Sequence, residues 1–163
     1  MKKLIVVMAL IAAPAFAQHA DGVLEKPRRV QRNDPAMEAA YARAKESLDG
    51  FFELVASKPP HIKTPSVKVR VREGQNVEDF WVTPFSAEAG GFGGFLQNEP
   101  ATIKKHKLGD PIRFTKADVV DWMYVDQTRK KIVGNYTGCA LLARGPASER
   151  EKARLQYGLD CTN

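Results

Sequence analysis

The sequence predicts an α+β fold: one long N-terminal amphipathic helix packed on a curved, mostly antiparallel sheet of five to six strands, with a short C-terminal helix tethered by a disulfide. Three observations predict it. Apolar residues recur three and four apart between 35 and 56, valines alternate with basic residues over 67–72, and two cysteines, Cys139 and Cys161, lie near the end of the chain. At 163 residues one domain is expected. It is placed at 34–163, after a signal peptide at 1–17 and a flexible leader at 18–33.

Lys2 and Lys3 form a basic start, 4–13 is an apolar run, and Ala15-Phe16-Ala17 is a small-x-small cleavage site. The apolar run is shorter than the about 20 residues a bilayer span needs. Cleavage between Ala17 and Gln18 is therefore expected, with the mature chain periplasmic or secreted and not inserted in a membrane. Gln18 is not cysteine, so no lipid is expected at the new terminus. Removing Lys2 and Lys3 leaves 23 basic against 19 acidic side chains, a formal +4. That mild excess lacks the concentrated basic face of a nucleic-acid binder, so no nucleic-acid partner is expected.

The helix starts at Asn33-Asp34-Pro35, an Asx cap followed by proline in the first turn. Met37, Tyr41, Ala44, Leu48, Phe51 or Phe52, and Val55 then form one apolar stripe. Pro59-Pro60 ends it. A helix packed on its own sheet is the commoner use of such a stripe, although a partner or a membrane surface would also suit it.

Val67, Val69 and Val71 alternate with Lys68, Arg70 and Arg72, which predicts a strand with one buried and one solvated basic face. A turn at 73–76 leads to a second strand at 77–83, making a hairpin. The segment 89–97 carries four glycines around Phe92 and Phe95. It does not match the G-x-G-x-x-G dinucleotide fingerprint and is followed by Pro100, so a glycine-rich strand with a bulge or a close backbone approach is the better account. Lys104 and Lys105 begin a basic cluster that is either a contact patch or a solvated loop. Strands follow at 112–114, 119–125 and 131–144, the last bent at Gly134 and Gly138. Asn135-Tyr136-Thr137 matches a glycosylation sequon, which is without meaning in a bacterium. Ser148 and Glu151 have capping-box spacing and predict a helix that Gly158 ends.

Cys139 and Cys161 are the only cysteines, 22 positions apart. That spacing suits a structural disulfide and not a Cys-x-x-Cys redox pair. Closing a loop of roughly 23 residues is worth on the order of 3 kcal/mol in the chain-entropy model.

No Gly-x-Ser-x-Gly elbow, His-Glu-x-x-His or phosphate-cradling loop is present. His19, His61 and His106 have no metal-ligand spacing, so neither a metal nor a cofactor is expected. Asp121 beside Trp122 is the acid of interest. An aromatic neighbour can raise its pKa by desolvation, while a carboxylate bonded to backbone or to a lysine is the plainer alternative.

The runs Phe92-Gly93-Gly94-Phe95-Leu96-Gln97-Asn98-Glu99-Pro100, Leu108-Gly109-Asp110, Asp121-Trp122-Met123-Tyr124 and Gly134-Asn135-Tyr136-Thr137, in that order, resemble the YegJ-like bacterial family of unknown function (domain of unknown function 2314). The resemblance covers about 34–144, and the C-terminal helix with Cys161 looks like an addition to it. It implies a compact α+β domain and transfers no catalytic residue.

The function expected is a non-enzymatic periplasmic module that binds a protein, of inhibitor or immunity type. Its candidate contacts are Phe92, Gly93, Phe95, Asn98, Asp121, Trp122, Tyr124, Lys104 and Lys105. The alternatives are a small envelope hydrolase using Asp121, and a binder of a small ligand or cell-wall fragment with a cleft lined by Trp81, Phe92 and Trp122.

Overall fold

The computed structural model describes residues 34–161. The expected signal at 1–17 and leader at 18–33 lie outside the described residues. The elements run α1 (Pro35–Glu46), α2 (Leu48–Ser57), β1 (Ile62–Glu73), β2 (Asn76–Glu88), β3 (Gly91–Leu96), β4 (Pro111–Phe114), a short 3-10 turn (Lys116–Asp118), β5 (Val119–Asp126), β6 (Lys131–Gly134), α3 (Tyr136–Leu142) and α4 (Ala147–Tyr157). The strands form one open sheet in the order β4-β3-β2-β1-β5-β6. Every named pair is antiparallel, so the fold is α+β with six strands.

Val67 and Val69 of β1 pair with Val82 and Phe80 of β2 on one face, and all four are at most 1% exposed. Helix α2 covers this face with aromatic rings. Phe51 stacks on Trp122 at 4.9 Å between centroids and Phe52 on Phe92 at 4.6 Å. The array continues from Phe92 to Phe114 at 5.5 Å. Burying each such ring contributes about 1.5–3 kcal/mol.

The helical stripe is split into two helices, not one. Asp34 caps α1 as expected, its side chain accepting from the Met37 amide at 3.0 Å. The break falls at Ser47. There the Trp122 indole N–H donates to the Ala44 carbonyl at 3.1 Å and to Ser47 Oγ at 3.2 Å. Ser47 Oγ in turn donates to the Arg43 carbonyl at 2.9 Å. A side chain inserted in the i to i−4 ladder is a recognised cause of a break. The α2 end is as expected: Lys58 turns left-handed and the two prolines follow.

The basic face of β1 is not simply solvated. Lys68 stands opposite Trp81, and Arg70 opposite Asp79. The Lys68 ammonium lies 4.5 Å from the Trp81 ring. Arg70 forks onto Asp79 at 2.8 and 2.9 Å and stacks on Tyr41 of α1 at 4.7 Å. Both basic residues are half-buried, while Arg72 is exposed.

The expected last strand is only four residues long. Gly134 and Asn135 both take left-handed backbone angles, and the chain enters α3 instead of continuing to 144. A side chain at Gly134 would strike the Trp122 indole and its carbonyl oxygen. Asn135 then caps α3, its side-chain oxygen accepting from the Gly138 amide at 3.2 Å.

The capping box at Ser148 is also not formed. Helix α4 begins two residues earlier, with Pro146 at the cap position in place of Ser148 and no side-chain capping bond. Pro146 supplies the preset backbone angle that starts the turn. Gly158 ends the helix with φ 67°. The disulfide joins Cys139 to Cys161 with 5.4 Å between Cα atoms. It therefore ties the C-terminal segment to α3 and not to a strand.

Candidate functional site

Asp121 and its partners form the polar centre of the fold. The side chain has no solvent exposure. Oδ2 accepts from the Thr137 hydroxyl at 2.6 Å and the Thr137 amide at 2.8 Å. Oδ1 accepts from the Trp122 amide at 2.8 Å and the Tyr136 amide at 3.2 Å. Thr137 Oγ1 also accepts from Lys68 Nζ at 2.8 Å. Burial pushes the Asp121 carboxyl above the usual range, while the Lys68 charge and the hydrogen bonds from Thr137 and Trp122 pull it back. The group locks the first turn of α3 onto β5 and β1, which fixes where Tyr136 points.

Tyr136 helps line a cleft of about 560 Å³ between α1, β6 and α3. Its walls are small where α1 contributes Ala36, Ala39 and Ala40, and apolar where β6 contributes Ile132 and Val133. Cys139 and Cys161 line it as well. The Arg43 guanidinium lies 5.0 Å from the centre of the Tyr136 ring. Arg129 and Lys131 add two more cations and Asp160 one acid. Lys131 Nζ is 3.1 Å from Asp160 Oδ2, and Arg129 Nε is 3.4 Å from Asp126 Oδ2.

A second concavity, of about 620 Å³, lies over β2, β3 and β4. Its floor is Gly93 and Gly94, and Pro84, Phe95 and Pro111 also line it. Phe95 is 47% exposed. Glu88 and Arg113 form an exposed ion pair at 2.9 Å, and the Glu88 carboxylate fills the space a Gly93 side chain would need. At Gly94 a Cβ would come within 2.5 Å of Val82 and 2.9 Å of Phe85. The glycine run is thus a site of close approach, as expected: Gly94 admits the neighbouring strand β2 and Gly93 admits the Glu88 side chain.

The sequence-derived contact residues are distributed over three places. Gly93 and Phe95 share the β3 surface. Phe92 points to the opposite face, into the aromatic array. Asp121, Trp122 and Tyr124 lie on β5, beyond β2 and β1. Trp122 is buried and Tyr124 half-buried, their rings stacked 6.0 Å apart. Asn98 is occupied locally, its side-chain oxygen accepting from the Trp81 amide at 2.9 Å. Lys104 and Lys105 are exposed in the 97–110 loop. That loop is held by Glu78, which accepts from the Ala101, Thr102 and Ile103 amides. Partial burial opposes the Glu78 carboxylate, yet these hydrogen bonds hold it below its usual range. Trp81 points to the face opposite Phe92 and Trp122, so these three do not line one cleft.

The residues sequence reasoning missed are those of the α1–β6–α3 cleft, Arg43, Arg129, Lys131 and Tyr136. The usable signal was Asn135, an N-cap type residue ahead of Cys-Ala-Leu-Leu-Ala. Among the described residues no group of three or more His, Cys, Asp or Glu is placed to hold a metal. No helix among them is long and apolar enough to cross a membrane.

The chain belongs to the DUF2314 family, described as an uncharacterized protein conserved in bacteria, whose model matches residues 34–161. The match takes in α4 and Cys161, so the C-terminal helix is part of the family domain and not an addition. The chain is 29% identical over 159 residues to "Uncharacterized protein YegJ" of Escherichia coli (strain K12), covering 96% of this chain and 98% of that protein. No solved structure matches.

Proposed function

We propose that this protein is a non-enzymatic, periplasmic binding module, of inhibitor or immunity type, whose partner is a protein. The observation that carries the reading is Phe95, a large aromatic side chain nearly half exposed above the Gly93–Gly94 floor. Aromatic and arginine side chains are the usual anchors of protein interfaces, and Arg113 stands beside it. Strand β4 is an outer strand of the sheet, which suits an extended partner segment adding to the ladder. The disulfide supports residence in an oxidising compartment, in agreement with the three-part signal at 1–17.

A hydrolase built on Asp121 gains no support from the geometry. A general acid or base must come within hydrogen-bond reach of its substrate, and this carboxylate is enclosed and already accepts four hydrogen bonds.

The test is affinity capture from periplasmic extract with wild-type protein, Phe95→Asp and Arg113→Glu. One protein retained in near-stoichiometric amount by wild type and lost with Phe95→Asp is the expected result. Because Phe95 is exposed, the variant should fold, and its melting curve checks this. Equal retention by both, or no retained protein, overturns the reading.

A further inference from the structure

We propose that the cleft between α1, β6 and α3 is a binding site for a small anionic amphiphile, an acidic head on an apolar or aromatic body. It lies away from the Phe95 surface, so the two proposals stand or fall separately.

The size, shape and charge of the cleft point the same way. A volume of about 560 Å³ falls in the ordinary range for small-molecule sites, and such sites combine apolar walls with a few polar groups that fix orientation. Ala36, Ala39 and Ala40 create the space, since larger side chains on that face of α1 would fill it. Ile132 and Val133 supply an apolar wall, and the Tyr136 ring a flat one.

Three cations, Arg43, Arg129 and Lys131, stand against two acids, Asp126 facing Arg129 and Asp160 facing Lys131, so the excess of positive charge falls at Arg43 beside the Tyr136 ring. The acids near the cations are committed. Asp126 accepts from the Thr128 and Arg129 amides at 2.9 and 3.1 Å as well as facing the Arg129 guanidinium, and Asp160 faces Lys131. Arg43 is stacked over Tyr136, a pose that leaves the guanidinium edge for a planar anion while its face is held by the ring. A carboxylate or phosphate there receives charge-assisted hydrogen bonds as the body lies against the alanines. A neutral ligand of the same shape lacks that gain. The disulfide keeps the wall near Asp160 in place.

The probe is 1-anilinonaphthalene-8-sulfonate, a fluorescent aromatic anion, titrated into the purified protein and displaced by 4-phenylbutyrate or by 4-phenylbutanol, its neutral counterpart. Phenyl phosphate in a third arm separates carboxylate from phosphate preference. The expected result is saturable binding at one site, displaced by the anions at concentrations at least about tenfold lower than by the alcohol. Arg43→Gln should weaken binding by about tenfold, and Ala39→Leu should abolish it by filling the cleft. Arg113→Gln, on the other surface, should leave it unchanged. Equal displacement by acid and alcohol, no saturable binding, or binding unmoved by both Arg43→Gln and Ala39→Leu in variants with wild-type melting curves overturns the assignment.

Discussion

The Thr137 hydroxyl donates to Asp121 Oδ2 at 2.6 Å while accepting from Lys68 Nζ at 2.8 Å. Three elements, β5, α3 and β1, meet in that chain of contacts. Removing Asp121 leaves three amides and a hydroxyl without an acceptor and a half-buried lysine facing them. Asp121→Ala should therefore cost about 3–5 kcal/mol of unfolding free energy. Asp121→Asn should cost less, because one amide oxygen keeps part of the acceptor role. Urea unfolding followed by circular dichroism measures both, and a loss below about 1 kcal/mol for the alanine variant would contradict this account.

Trp122 interrupts the helix ladder through a single N–H. Trp122→Phe retains a ring for Phe51 to stack on but removes the indole donor from the Ala44 carbonyl, leaving the longer contact from the Ser47 hydroxyl at 3.3 Å. The expected destabilisation is about 1–3 kcal/mol. Hydrogen exchange should show altered protection at the α1–α2 junction around Ser47, and unchanged exchange there would argue that the indole does not set the break.

Tyr41 gives an alkaline signature. Burial, then the Asp79 charge, push its phenol up to about 12. A pKa raised in the folded state means the contribution is fully present below the ordinary value near 10 and is lost as pH rises from there toward 12. Absorbance at 295 nm should show tyrosines ionising late, and Tyr41→Phe should remove one of them, leaving Tyr124, whose phenol burial also pushes up. A wild-type titration complete by about pH 11.5, where ordinary tyrosines have finished ionising, would refute the burial argument.

The disulfide bears on both compartment and stability. Replacing Cys139 and Cys161 by serine should lower stability by on the order of 3 kcal/mol in the chain-entropy model. The second apolar cluster, Leu142, Ala153 and Leu159, should loosen first, read as faster proteolysis after α3. Protein recovered from the periplasm should show no titratable thiol without denaturant and reductant. Two free thiols in that material would undo the Cys139–Cys161 tether.

Much of the fold was legible because it rests on local periodicity. The Val67–Val71 alternation, the stripe beginning at Met37, the cap at Asp34 and the stop at Gly158 each depend on residues within one or two turns. The failures occur where distant contacts outweigh local preference. Nothing near Ser47 announces a break, because the cause is an indole 75 residues away. The 131–144 segment reads as strand from its β-branched start, yet Gly134 must yield to Trp122 and the amides of Tyr136 and Thr137 are claimed by Asp121.

The candidate sites divide along the same line. Phe95 and Gly93 were visible as an odd glycine-aromatic run, but only the sheet decides that Phe95 faces solvent while Phe92 faces the core. The cleft cations Arg43, Arg129 and Lys131 are scattered surface charges in the linear chain. By itself the sequence determined the α+β class, the strand pattern over 67–83 and the Cys139–Cys161 pair, because spacing and composition carry those, while the family was legible only through the resemblance of four separated motifs. The tertiary structure decided the helix break, the identity of α3, the enclosure of Asp121 and the convergence of charge beside Tyr136, because each depends on side chains brought together across the sheet.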